Sequence, residues 1–260
     1  MEAKIKHFVL VHGMCHGAWC WYKLATLLEQ AGHRVTAPDL SASGMNLRKI
    51  EEVESFADYC QPLFDAIAAL PQEEKVILVG HSLGGFVIAL AMETFPEKVS
   101  AAVFVAAVMP SEMLSISKIE EEYFQEHPVE YFMDTSFSLN PEMPGPKPIT
   151  SLGPTYLATK MYQICPPEDL TLAKMLLRPG STFSSDQAKK DMLSKQNYGS
   201  VNRIFIVCKQ DKAIKMEFQK WMVEQSPDTE VKELEEADHM AMLSQPRELF
   251  SLLMEISKKH

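Results

Sequence analysis

The chain has 260 residues, 46% of them hydrophobic and 23% charged, enough apolar material for the core of one larger α/β domain. A formal net charge of -10 works against nucleic acid or an anionic membrane as the main partner, because both would be repelled. The five cysteines are odd in number and lack framework spacing or paired Cys-x-x-Cys units, which argues against a disulfide scaffold or a structural zinc site and for free thiols in a reducing compartment, the cytoplasm.

Residues 7–11 (HFVLV) form a short continuous apolar run, the pattern of a strand buried on both faces. The run has a basic flank but no small-residue cleavage site after it, so it reads as a first strand rather than a signal peptide. Helical spacing follows over 18–30, with Gly32 where a helix commonly ends. A second strand is predicted over 33–37, a helix over 53–70, a buried strand over 75–79 and an apolar helix over 83–94 that ends before Pro96. Another strand is predicted over 99–106. Strand and helix alternating in this way predict an α/β fold with a mostly parallel central sheet flanked by helices.

Prolines and methionines then crowd in, and only short helical patterns over 119–125 and 168–177 can be placed. The buried pattern returns over 203–208, followed by a helix over 216–225, an alternating strand over 229–234 and a final helix over 246–257. The last strands need the first sheet as partner. The expected organisation is therefore one core, 1–110 and 188–260, interrupted by a mainly helical cap insertion, 111–187. No stretch approaches the ~20 apolar residues needed to span a bilayer.

Gly80-His81-Ser82-Leu83-Gly84 is a G-x-S-x-G motif lying directly between the strand KVILV and the helix LGGFVIALAMET. A sharp strand-to-helix turn pushes the serine hydroxyl out above the sheet, as in the α/β-hydrolase fold. Such a serine needs a base, and only His127, His239 and His260 follow it. His239 sits just after the last predicted strand, at the sheet edge where ligands gather, whereas His127 lies in the cap and His260 ends the chain. Asp211 follows the previous strand by a short loop and is the expected acid. Asp238, an immediate neighbour of His239, is poorly placed to accept from its ring. The expected oxyanion donors are the backbone N–H groups of Leu83 and Met14, the latter in the turn His12-Gly13-Met14. Cap aromatics Tyr123, Tyr131, Phe132 and Phe137, with Gly13, Met14 and Met240, are the candidate substrate-binding residues.

The segments HFVLVHGMCHGAWCWYKL, EKVILVGHSLGG, YGSVNRIFIVCKQDK and EADHMAML resemble the plant methylesterase group that also contains salicylate-binding esterases, polyneuridine aldehyde esterase and α-hydroxynitrile lyases. The resemblance covers nearly the whole chain and implies the same three residues, Ser82, Asp211 and His239. It further implies a cofactor-free, cytosolic enzyme, commonly a homodimer, acting on a small-molecule ester. The lyases of the group carry threonine where this chain has Gly13 and lysine where it has Met240. An ammonium there would manage departing cyanide, which Met240 cannot do, and both positions therefore favour hydrolysis. Phe132 falls where the salicylate-binding relatives place tryptophan, which argues against tight salicylate binding. The expected function is a serine carboxylesterase for methyl esters of small, largely apolar acids. The alternatives are a hydroxynitrile lyase and a small-molecule receptor of hydrolase fold.

Overall fold

The computed structural model describes residues 5–139, 148–183 and 193–260. Six strands, β1 (His7–Val11), β2 (Arg34–Thr36), β3 (Val76–His81), β4 (Val99–Val105), β8 (Asn202–Cys208) and β9 (Thr229–Leu234), form one sheet in the order β2-β1-β3-β4-β8-β9. Every pairing in it is parallel. Successive side chains on a strand face opposite ways, and both faces here are covered. Val9, Val11, Leu78, Phe104 and Phe205 enter one buried cluster, while Phe8, Leu10, Ile77, Val103 and Ile204 enter the other. That two-sided burial is why β1, β3, β4 and β8 read as apolar runs, whereas β2 and β9, at the two edges of the sheet, are only partly buried.

Helices α1 (Tyr22–Gln30), α2 (Phe56–Ala68) and α3 (Gly84–Thr94) connect the first strands. The predicted helix over 18–30 begins as a 3-10 turn, Ala18–Trp21, before α1. The predicted helix over 53–70 starts later, because Ser55 caps it by accepting from the Asp58 N–H at 3.0 Å. Pro62 lies inside α2 and has no N–H for the Asp58 carbonyl. The Ser41 hydroxyl takes that carbonyl instead, at 2.8 Å.

The segment between β4 and β8 contains α4 (Ile116–Glu126), α5 (Pro154–Tyr156), a π-helical turn at Leu157–Met161 and α6 (Pro167–Leu176). It also contains an antiparallel sheet, β5 (Ser136–Leu139), β6 (Pro148–Ser151) and β7 (Gly180–Ser181), in the order β5-β6-β7. The expectation of a mainly helical cap therefore omitted a sheet. β5 (SFSL) alternates polar and apolar residues but is only four residues long and exposed throughout, and β7 is only two residues long, so neither offers a buried run of strand length. The predicted boundary at 187–188 lies outside the described residues. After β8 come α7 (Met216–Glu224), α8 (Ala241–Ser244) and α9 (Pro246–Lys259). Among the described residues no helix is long and apolar enough to cross a membrane.

Candidate active site

Ser82 occupies the step between β3, which ends at His81, and α3, which begins at Gly84. Its φ is +54°, a left-handed conformation that costs a non-glycine residue about 1–3 kcal/mol and is tolerated where surroundings impose it. Here the Ser82 carbonyl accepts from the N–H groups of Gly85 at 3.0 Å and Val108 at 2.9 Å. The flanking glycines allow the close approach. A Cβ on Gly84 would stand 2.6 Å from the Val11 carbonyl oxygen, and one on Gly80 would stand 2.6 Å from that of Gly84. Backbone cannot yield as a side-chain tip can. Gly84→Ala is therefore expected to destabilise the protein by about 1–3 kcal/mol, read as a lowered urea midpoint with unchanged slope.

Asp211 and His239 lie in the loops after β8 and β9, at the same edge of the sheet. His239 Nδ1 is 2.8 Å from Asp211 Oδ2, and both residues are buried. The other oxygen, Oδ1, accepts from the N–H groups of Ala213 at 2.7 Å and Ile214 at 2.9 Å. Burial raises the Asp211 carboxyl above its ordinary range, while His239 and those two N–H groups pull the other way. Behind His239 stands His81, whose ring centroid is 4.6 Å away and whose Nε2 donates to the His239 carbonyl at 2.8 Å. Burial, then the neighbouring imidazoles His239 and His16, hold His81 well below the usual histidine range, so its ring is neutral.

The loop after β1 supplies the third wall. His12 is fully buried, and the Leu40 N–H donates to its Nε2 at 3.2 Å. Nδ1 therefore carries the proton and donates to the Gly13 carbonyl at 2.8 Å. The His16 N–H donates to the same carbonyl at 3.3 Å. In a trans peptide the N–H points opposite to the C=O, so pinning the Gly13 carbonyl fixes the direction of the Met14 N–H. Leu83 is the N-cap residue of α3, at the helix end where N–H groups lack intrahelical partners. A Cβ on Gly13 would stand 2.8 Å from Ser82 Cβ, so a bare glycine at 13 leaves the serine side chain room.

A largely apolar cavity of about 280 Å³ joins these parts, with Ser82, His239, Met14 and Leu83 on its wall. Of the predicted pocket residues, Tyr123, Phe132 and Phe137 line it. Gly13, Tyr131 and Met240 do not. The Tyr131 hydroxyl donates to the Lys212 carbonyl, and the Lys160 ammonium sits 4.0 Å from its ring centroid, which engages Tyr131 with the chain beside the cavity. Met240 is fully buried in the cluster that contains Phe8 and Ile77, so its side chain packs in the core. The expectation that it contacts an acyl or alkoxy group is corrected accordingly. Ile116, Ile119 and Phe218 line the cavity and were not anticipated.

Gln219 on α7 was also missed. It is fully buried, and its Nε2 donates to the Ile214 carbonyl at 2.6 Å, the Cys208 carbonyl at 3.1 Å and Asp211 Oδ2 at 3.3 Å. Its Oε1 accepts from the Cys208 N–H at 3.0 Å. The signal was a polar residue three positions from Met216 and three from Met222, on a helix whose Phe218 and Met222 are buried. Among the described residues no group of three or more His, Cys, Asp or Glu could hold a metal ion.

A family model described as the alpha/beta hydrolase family matches residues 8–252. Polyneuridine aldehyde esterase of Rauvolfia serpentina is 54% identical over 254 residues, covering 97% of this chain and 96% of that protein. Salicylic acid-binding protein 2 of Nicotiana tabacum is 51% identical over 257 residues, covering 98% of each. A crystal structure of polyneuridine aldehyde esterase superposes with a TM-score of 0.94 at 52% identity, covering 98% of this chain and 100% of that one.

Proposed function

The chain belongs to the alpha/beta hydrolase family, and from that membership we propose that it is a serine carboxylesterase acting on methyl esters of small, largely apolar acids. The observation that carries the proposal is the shared cavity: Ser82, on its left-handed turn, and His239, bonded to Asp211, open onto one apolar space. The roles follow from the chemistry. Asp211 holds the proton of His239 on Nδ1 and leaves Nε2 as the base. Ser82 attacks the ester carbonyl as His239 takes its proton. The developing oxyanion is received by the N–H groups of Met14 and Leu83, worth on the order of 3 kcal/mol each. His239 returns the proton to the departing methanol, and water repeats the sequence on the acyl-enzyme.

The cavity supports the substrate class. At about 280 Å³ it is of a size for a small ligand, and apolar residues such as Ile116, Phe132 and Phe218 dominate its wall. Polyneuridine aldehyde esterase, half identical to this chain, is named for ester cleavage, which supports the same reaction here. We further propose a cytoplasmic homodimer. All five cysteines are free, which suits a reducing compartment.

The test is turnover of a panel of methyl and p-nitrophenyl esters beside mandelonitrile. Ester hydrolysis without cyanide release is the expected result. Cyanide release dependent on Ser82 would replace the esterase reading with a lyase, and tight ligand binding without turnover would replace it with a receptor.

A further inference from the structure

Four consecutive cap residues, 162–165, follow the π-helical turn and reach all three loops around the site. The first tie runs to the loop after β1. Tyr162 Oη is 2.7 Å from His16 Nε2, and His16 Nδ1 is 2.9 Å from the Met14 carbonyl. Burial pushes the His16 ring down to about 3, so it is neutral and carries one N–H. A carbonyl can only accept, so that N–H is on Nδ1 and the Tyr162 hydroxyl donates to Nε2.

The second tie runs to the loop after β8: Gln163 Nε2 donates to the carbonyl of Gln210, next to Asp211, at 2.6 Å. The third runs to the loop after β9. The Ile164 N–H donates to Asp238 Oδ2 at 3.0 Å, and the Cys165 thiol lies 3.4 Å from the same oxygen. Asp238 Oδ1 accepts from the Met240 N–H at 3.0 Å. Asp238 and Met240 flank His239. Tyr162, His16 and Asp238 are each at most 2% exposed, so water cannot take over these bonds when one is removed.

We infer that residues 162–165 form a strap through which the cap sets the relative positions of Met14, Asp211 and His239, with Tyr162 and Asp238 as its positioning residues. The strap acts on backbone. It holds the peptide that follows the Met14 N–H on one side and the two residues around His239 on the other. A fixed oxyanion donor and a fixed base are what acyl transfer needs from the loops that carry them. The Asp238 carboxylate, the obvious competitor of Asp211 in the sequence, thus orients His239 through the main chain while Asp211 bonds its ring.

The kinetic part of the test rests on the esterase reading; the structural part does not. Y162F removes the hydroxyl that bonds His16, and D238N removes the carboxylate charge while keeping its shape. Each is expected to lower kcat about tenfold with KM within about twofold, because donor and base are displaced rather than lost. In Y162F, affinity for a trifluoromethyl ketone, which forms a tetrahedral adduct on Ser82, falls by the same factor as kcat. The double variant falls by less than the product of the two, since both substitutions loosen one element.

Amide exchange reads the strap without any reaction. Residues 13–16 exchange at least about tenfold faster in Y162F, and residues 239–241 do so in D238N, while the amides of β3 and β4 speed up only as far as the lowered global unfolding midpoint accounts for. Wild-type kcat and wild-type exchange in both variants would overturn the inference. So would an uncoupled double variant. If D238N fails to fold, Y162F alone decides between these outcomes. A wild type that turns over no ester and takes no fluorophosphonate probe at Ser82 would sink the esterase reading alone, and exchange would still judge the strap.

Discussion

Replacing Ser82 with alanine is expected to lower kcat for ester hydrolysis by about 10⁵–10⁶-fold while leaving the fold and ligand binding in place. The size of the loss follows from what the hydroxyl contributes. Without it there is no acyl-enzyme, and the cavity can only offer N–H donors and a base to a water that has no fixed place. The change should leave the backbone strain as it is. Alanine removes only an oxygen, but it keeps the +54° φ, so no large gain in stability is expected. Steady-state assays with a p-nitrophenyl ester, together with intact-mass detection of an acyl adduct in the wild type, would check both parts. A variant retaining a tenth of the activity would remove Ser82 from the nucleophile's role.

The second large effect is expected for Asp211→Asn, a loss of about 10⁴-fold in kcat. The surroundings of the carboxylate decide which way the new amide would sit. Oδ1 accepts two backbone N–H groups, from Ala213 and Ile214, and an amide nitrogen there would face two donors. The asparagine oxygen would therefore take that place, and its NH₂ would take the place of Oδ2. There it meets His239 Nδ1 and the Gln219 amide. To accept from that NH₂, the imidazole must move its proton to Nε2, the atom that has to accept from Ser82. The fold stays and the base is lost. A variant with near-normal turnover would show that Asp211 does not set the tautomer. The expected signature is low activity that partly recovers at high pH, where serine needs less help in losing its proton.

The parts of the fold legible in the sequence are those where one physical rule dominates. β3, β4 and β8 are buried on both faces, so burial alone makes them visible as apolar runs. Ser82 was visible because glycines mark a backbone crossing too tight for any Cβ. Asp211 and His239 were placed by chain order and by position at the strand ends, and they lie within hydrogen-bond distance.

What stayed hidden depends on direction rather than position. Met240 is bonded to His239 in the chain, yet its side chain turns into the core, and Tyr131 stands beside Phe132 without lining the cavity. In irregular segments, neighbours share no periodic relation, so chain proximity to a site says little about facing it. Asp238 was set aside as the acid, and nothing in its spacing suggested three donors converging from the cap and from Met240. The two cap partners, Ile164 and Cys165, lie 74 and 73 positions away and meet Asp238 only after folding.

The insertion of the cap between β4 and β8 bears on how the protein comes to fold. β4 and β8 lie side by side, so that Asn202 bonds Ser100 across 102 positions of sequence. Closing so long a loop has an entropic cost that rises as (3/2)RT ln n and must be met before any contact across it compensates. β1 and β3 pair across 69 positions (Phe8 with Ile77), a closure nearly as costly, whereas β3 and β4, with α3 between them, pair across only 24 (Ile77 with Ala101) and can associate first, carrying the strained turn at Ser82 with them. β8 and β9, which bring Asp211 and His239, dock only after the long detour has closed. The turn that presents the serine is thus assembled from near neighbours in the chain, whereas Asp211 and His239 reach it only through the longest closure in the sheet.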